Sequence, residues 1–399
     1  MDSLEIDFAR IVKEHRSTIY MVCYMFSKDE DEVVLSYQGV GEFSQTDLTK
    51  QLAGKAISLR PFVGGSMQGI NAMCSPKDLE TLFQLLYLYG TSPRFDEDAF
   101  NTVKDQLVSV YANVESDPNY ALQRELYKSL YSKPDRAKAW SVEEIKGLNF
   151  EQYQKVYKTL FSNPDDMTYT IVGNFDEAAI KPLVEKYLGS LPKTKGTLAY
   201  NNANSNDFQT GDRTNRFAVP MEMPKTTIYY VLTGPMEVNL ENKIYLSVLD
   251  QLLDIRYTKS IREEKGGTYG VSCAASLSSL PSEPDFMLMI GFDTKPEMAD
   301  ELRDMLLPEV QRIATEGPTE EEIGKIKEFM VKQRADNLKQ NGSWKQWISN
   351  YHLTGVDYTT DYDAIIGSLS AEKVKAIAAK TLESGDVLKL IMDPAVKAP

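Results

Sequence analysis

The chain has 399 residues, 42% hydrophobic and 26% charged, ordinary proportions for globular protein. At roughly 150 residues per domain it holds two or three domains, each able to bury a core. Lys and Arg number 44 against 58 Asp and Glu, a net charge of −14, and a field of that sign repels phosphate backbones and anionic lipid, which makes nucleic acid a poor partner.

The first residues, Met1 to Asp7, are acidic where a secretory signal would be basic and then apolar. As it stands the chain carries no export signal, which fits a cytoplasmic protein or a fragment whose parent has a signal upstream. Its longest strongly apolar run, 18–26, is well short of the roughly 18 residues that a membrane span needs. The strand and helix order within 1–36 matches nothing later in the chain. Either the first domain is rearranged at its start or the chain begins inside a longer domain.

From there the chain reads as two halves, 1–192 and 217–399, joined by a polar, Asn-rich linker over 193–216. In the first half a helix ends near Lys50, apolar-alternating strands follow at 56–62 and 67–74, then several helices and a closing strand at 167–172. The second half opens with a strand at 226–232 and a helix from about Leu240 to Glu264. Strands at 268–277 and 285–293, helices, and a closing strand at 387–392 complete it.

The halves repeat one another. Ile145, Leu148, Asn149, Tyr153, Val156 and Phe161 are matched 221 residues later by Ile366, Leu369, Ser370, Val374, Ile377 and Leu382. Residues 96–107 pair with 319–330 at an offset of 223, each an acidic helix start followed by an apolar stripe, and 48–59 parallels 257–271 at about 209. The growing offset places longer loops in the second half, most simply around 278–284. Strands at both ends with helices between them describe an α+β fold, two tandem homologous domains, each a mainly antiparallel sheet covered on one face by helices.

The strongest chemical signal is the run from Ile261 to Val271, IREEKGGTYGV. Arg262 falls on the last helical turn, Gly266 or Gly267 supplies the left-handed cap, and Tyr269 starts the next strand. The turn brings a guanidinium and a phenol to one edge of the sheet, donors suited to a peptide carbonyl or a developing oxyanion. A structural task suits them too, Arg262 neutralising the helix C-terminus and Tyr269 packing at a strand start.

Other features carry less. Cys23, Cys74 and Cys273 show no CxxC spacing and read as buried apolar side chains, neither a disulfide framework nor a thiolate zinc site. The stretch 64–69 reads as a hairpin bend, since no Lys-Ser/Thr follows it. The acidic run from Thr319 to Glu322 reads as a helix start. Trp344, Trp347 and Tyr351 share one helical face, suited to core or interdomain packing or to contact with a partner half. No GxSxG setting supports a serine hydrolase.

IREEKGGTYGVS, together with AFNTVKDQL, PKDLETLFQLLYLYGTSPRFD and TYTIVGNFDEAAIKPLVEKYLGSLP, resembles the C-terminal half of the pitrilysin/insulinase-type zinc peptidases, the inverzincins, over about 37–399. The resemblance implies halves of two tandem homologous α+β domains, with full members clamping two such halves into a chamber around a peptide. The family's catalytic element is H-x-x-E-H on a helix, in which two imidazoles bind zinc and the glutamate is the general base. Neither His15 nor His352 belongs to such a motif. The chain is therefore expected to hold no catalytic residue and no metal, to be inactive alone, and to depend on zinc carried by an H-x-x-E-H-bearing partner half.

The resemblance carries over one pair, Arg262 and Tyr269, as residues that contact the substrate peptide near its scissile carbonyl. The equivalent turn of the first half has Ala53 for Arg262, and Ser58 or Leu59 near the Tyr269 position. The implied function is that of a non-catalytic half or subunit of a zinc metalloendopeptidase, closing the chamber and contacting the peptide. The rival is a catalytically silent binding or scaffold protein that keeps the fold. The odd opening predicts an exposed sheet edge and hence self-association or partner dependence. If the chain is a fragment of an exported precursor, the resemblance places it in the periplasm or outside the cell.

Overall fold

The computed structural model describes residues 19–25, 39–63, 68–134, 140–161, 167–192, 207–278, 280 and 283–395. Contacts group them into two compact units, each built mainly from one half of the chain. The exceptions are reciprocal, for the segment within 114–139 belongs to the second unit and 336–352 to the first.

The first unit contains β1 (Ile19–Met25), β2 (Gly39–Val40), β3 (Ile57–Val63), β4 (Gln68–Cys74), β5 (Pro93–Arg94) and β6 (Thr168–Val172). Its main sheet runs β3-β4-β1-β6, antiparallel throughout, while β2 and β5 form a separate two-stranded ribbon. The second unit contains β7 (Asp212–Val219), β8 (Thr226–Pro235), β9 (Val271–Leu277), β10 (Asp285–Thr294) and β11 (Asp386–Pro394), in the order β7-β11-β8-β10-β9. Only the β7–β11 pair is parallel. Reading β8, β9, β10 and β11 for β1, β3, β4 and β6 turns the first sheet's order into that of four strands of the second, with β7 added at its edge, so the sequence repeat is a repeat of topology.

That equivalence corrects one expectation. The first domain does have an opening strand, Ile19–Met25, which runs through the middle of its sheet with Ile19 opposite Cys74 and Tyr20 opposite Val172. The run 18–26, TIYMVCYMF, is apolar nearly throughout and so lacked the period-2 signal by which the other strands were read. Residues 26–38, where the helix following it would begin, lie outside the described residues, as do His15 and most of the predicted linker. The final part of that linker is structured, for 212–216 begin β7. The bend at 64–67 is likewise outside, but Val63 pairs with Gln68, as a hairpin requires.

In the first unit the helix Leu79–Thr91 buries Leu79, Leu82, Phe83 and Leu86, spaced by three and four residues so that they share one face. They meet Ile70, Ala72 and Cys74 of β4, and Tyr153, Tyr157, Leu160 and Phe161 of the helix Phe150–Phe161. Each fully buried side chain of this kind contributes about 1.5–3 kcal/mol.

The other face of each sheet receives the segment lent by the other half. Met167, just before β6, and Tyr169 and Ile171 on it join the first core, while Thr170 and Val172 point the opposite way, to the helix Asn341–Thr354. There Trp344 packs on Val172, and Ser349 Oγ lies 3.3 Å from Thr170 Oγ1. Trp347 meets Trp344 edge-on at 5.2 Å, whereas Tyr351 stays half exposed. On the second sheet Val231, Leu388, Leu390 and Met392 face the helix Pro118–Leu130, whose Leu122 and Leu130 they bury. Gln209 Nε2 ties the end of that helix by donating to the carbonyls of Lys128 at 3.0 Å and Tyr131 at 2.8 Å.

Candidate substrate-contact turn

The turn is mounted on the helix Leu240–Tyr257. Asn239 caps its start, accepting from the Asn242 N–H at 2.8 Å. Leu249, Leu253, Tyr257 and Ile261, four residues apart, are fully buried, and the Tyr257 hydroxyl donates to the Leu306 carbonyl at 2.6 Å. The last turn, Thr258–Glu264, widens into a π-helix, which keeps Ile261 inside and leaves Arg262 exposed.

Arg256 locks this helix to two others. Its guanidinium donates to Glu309 at 2.9 Å, to both oxygens of Glu322 at 2.9 and 3.0 Å, and to the Gly317 carbonyl at 3.0 Å. Glu322 also closes a capping box with Thr319, accepting from its N–H at 2.7 Å while the Glu322 N–H donates to Thr319 Oγ1 at 3.2 Å. Burial works to raise the Glu322 pKa, but the hydrogen bonds from Arg256 and Thr319 outweigh it and hold the carboxyl at about 2. The acidic run is thus a helix start, and one of its members is also an anchor.

Two more carboxylates of the helix satisfy the edge of the sheet. Asp254 accepts from the Cys273 N–H at 2.8 Å and Asp250 from that of Ala275, both amides on the edge strand β9. Burial, with the neighbouring charge of Asp254, pushes the Asp250 carboxyl up to about 7. Their spacing of four was visible in the sequence, but nothing there showed that a strand edge faced them.

After the helix the chain reverses at Gly266, whose φ of 60° is the left-handed conformation expected at one of two positions. Gly267 is buried against the helix Ala299–Asp304, where a Cβ would lie 2.4 Å from Leu302 Cδ1. Thr294 Oγ1 donates to the Gly267 carbonyl at 2.6 Å. Thr268 Oγ1 then bonds both the carbonyl and the N–H of Gly270, at 2.9 and 3.2 Å, folding 268–270 into a bend. For that reason β9 begins at Val271, and Tyr269 lies ahead of the strand, not at its start as expected.

Tyr269 is 100% exposed, so it packs against nothing in this chain and the structural task considered for it does not apply. Arg262 and Tyr269 stand on the same turn, and among the described residues neither enters a hydrogen bond or ion pair. In the first half Gly54 makes the corresponding reversal with φ 82°, but the turn is shorter, and Ser58 and Leu59 are already half-buried within β3. Only the second half projects side chains at this point.

No group of three or more His, Cys, Asp or Glu among the described residues is arranged to hold a metal ion. His352 is exposed on the helix Asn341–Thr354, with the Tyr351 ring 6.0 Å away. Cys74 and Cys273 are buried free thiols, the former pushed up to about 11 by burial and both inert as nucleophiles. No helix among the described residues is long and apolar enough to cross a membrane.

Residues 147–330 match the family model of the peptidase M16 inactive domain. A zinc protease PQQL-like protein of Arabidopsis thaliana is 24% identical over 341 residues, covering 81% of this chain and 35% of the relative. The chain thus spans about a third of the length of that relative. Among solved structures, the periplasmic protease PqqL from Escherichia coli superposes with a TM-score of 0.81 at 20% identity, covering 95% of this chain and 43% of that one. A peptidase M16 inactive domain from Pseudomonas fluorescens superposes with a TM-score of 0.76 at 17% identity, over 96% of this chain and 95% of that one. Over 147–330 the chain is similar to the peptidase M16 inactive domain, and its fold is that of the M16 peptidases on which it superposes.

Proposed function

We propose that this chain is the non-catalytic half, or a separate subunit equivalent to it, of a zinc-dependent metalloendopeptidase. It closes the substrate chamber and presents Arg262 and Tyr269 to a peptide that is hydrolysed at zinc held by an H-x-x-E-H-bearing partner. The observation that carries this reading is the exposure of Tyr269 on a turn that is otherwise clamped at Gly267. A phenol held on a rigid mount and left without a partner is a donor waiting for an acceptor from another molecule. The names of the relatives, zinc proteases, supply the chemistry of the missing half. PqqL from Escherichia coli is a periplasmic protease, and the periplasm is the compartment we propose for this chain as well. The presence of β1 removes the ground for expecting self-association.

The test is hydrolysis of a quenched fluorescent peptide library with zinc, by the chain alone and by the chain mixed with the H-x-x-E-H half or neighbour encoded in its own genome. Silence alone and chelator-sensitive cleavage in the mixture are expected. Arg262→Ala in the mixture is expected to lower turnover by about 10²-fold, as losing one oxyanion donor does. Cleavage by the chain alone, or an unchanged rate for Arg262→Ala, overturns the assignment, and silence in both favours the scaffold reading.

A further inference from the structure

The two units are copies of one topology, so each is a control for the other. In the first sheet the ladder sets Arg60 opposite Asn71, Asn71 opposite Val22 and Val22 opposite Thr170, one row across β3, β4, β1 and β6. In the second, Ser272 stands opposite Gly291, Gly291 opposite Tyr229 and Tyr229 opposite Leu390. The rows are equivalent, for Asn71 stands five residues before Pro76 and Gly291 five before Pro296, the prolines that follow their strands.

The second row is uncharged. The Tyr229 ring lies over Gly291, where a Cβ would come within 2.7 Å of Tyr229 Cδ1, and Leu390 is buried against the helix Pro118–Leu130. The first row is polar, and so are the groups that the covering helix sets on it. Ser349 meets Thr170, and one turn earlier Lys345 Nζ donates to Asn71 Oδ1 at 3.2 Å. Because Oδ1 accepts from the ammonium, Asn71 turns outward an amide nitrogen with protons to donate. Arg60 continues the row on the edge strand and is exposed. Cβ atoms directly opposite in a ladder are about 4.5–5.5 Å apart, so its long side chain reaches the same place.

The positive charge here is uncompensated. The chain carries −14 overall, yet among the described residues neither Lys345 nor Arg60 enters an ion pair. Lys345 is half-buried, and burial lowers its pKa from the ordinary lysine value with no carboxylate working against it. A charge drawn out of water costs free energy unless a counter-charge meets it. Along the strands the row is flanked by apolar surface on the same face, Phe62 on one side and Met73, 38% exposed, on the other. An acid presented between other residues fits that setting.

We propose that the outer face of the first sheet binds a carboxylate of a peptide, held jointly by Arg60, Asn71 and Lys345. The guanidinium fork takes the carboxylate along its edge, Asn71 Nδ2 donates to one of its oxygens, and the ammonium supplies the second positive charge. An acidic side chain and a C-terminus offer this same group. The second unit has no counterpart, since Ser272 and Gly291 carry no charge. The inference does not rest on the peptidase reading, because binding is measured on this chain without a partner.

The experiment is amide NMR on the full chain, titrated with N-acetyl-Ala-Glu-Ala amide, N-acetyl-Ala-Ala-Ala free acid, the neutral N-acetyl-Ala-Gln-Ala amide, acetate and inorganic phosphate. Saturable shifts at the amides of Arg60, Asn71 and Lys345 are expected with one or both acidic peptides, and the peptide that binds identifies the source of the carboxylate. Affinity should fall about tenfold in Lys345→Met, which removes a half-buried charge, and about threefold in Arg60→Gln, which removes an exposed one. It should also fall as salt rises from about 20 to about 200 mM. No saturable shift with either acidic peptide, equal affinity for the glutamine peptide, or affinity unchanged in both variants overturns the site. Acetate binding as tightly as the peptides overturns the peptide source, and tighter binding of phosphate overturns the carboxylate.

Discussion

Arg256→Met tests whether the mount beneath the Arg262 turn is held by charge. The guanidinium is 10% exposed, Glu309 12% and Glu322 19%, so removing the arginine leaves two carboxylates and the Gly317 carbonyl nearly dry and without their donor. Breaking a buried ion pair from one side costs about 3–5 kcal/mol. For a unit of this size that lowers the midpoint of thermal unfolding by roughly 6–20 °C. The pH dependence has a definite sign. Glu322 titrates at about 2 in the folded protein against an ordinary 4.5, so its contribution is complete above about 4.5 and fades as pH falls through 2. In the variant that contribution is absent, so the gap between the two proteins should be widest near pH 7 and should narrow on acidification below about 4.5. Circular dichroism melts from pH 7 to pH 3 measure it. A variant within 1 kcal/mol of the parent at pH 7, or a gap that does not narrow, refutes the reasoning.

Gly267→Ala forces a methyl against Leu302 and should destabilise by about 1–3 kcal/mol, as overpacking does; in the assembled peptidase it should also lower turnover by displacing Tyr269, which a peptide cleavage assay reads. Asp250 has a pKa raised to about 7, so stability contributed by its protonated form is full below about 3.8 and is lost as pH rises through 7. Asp250→Asn should therefore flatten the fall in unfolding midpoint between those values, and a fall of unchanged slope in the variant counts against it.

Much of this was legible because the chain repeats itself. Matching Ile145 to Ile366 and Phe161 to Leu382 identified equivalent helices without any knowledge of packing, and alternating strands such as β4 and β10 announced a half-buried face. The spacing also put the left-handed reversal at Gly266 or Gly267, because only glycine takes that conformation readily, and the chain makes it at Gly266. Strand β1 escaped since its sequence, IYMVCYM, has no alternation to read. The exchange of Pro118–Leu130 and Asn341–Thr354 escaped for a different reason. An apolar stripe states that a helix buries one face, but which sheet it covers is decided by contacts far apart in sequence, such as Trp344 on Val172. Likewise Thr-Tyr-Gly-Val has strand composition, yet the Thr268 hydroxyl bonds to Gly270 and holds Tyr269 out of the ladder.

The two copies have diverged in a way that links core to surface. Where the turn is long and projects Arg262 and Tyr269, the helix beneath it is fully packed, with the Tyr257 ring, the Arg256 ion pairs and the Asp254 contact to β9 all fixing its end. Where the turn is short and projects nothing, the helix beneath it keeps a leucine, Leu48, in place of Tyr257, and a cavity partly open to solvent. A side chain held out in water makes no contact that adds to the stability of the fold. The contacts that fix its mount stabilise the fold of the isolated chain, and the fixed position of the turn gains a further value when an external acceptor must be met there. Packing that is dense under the projecting turn and loose under its silent twin is the distribution expected if selection acted on the position of Tyr269 and not on the stability of the fold alone.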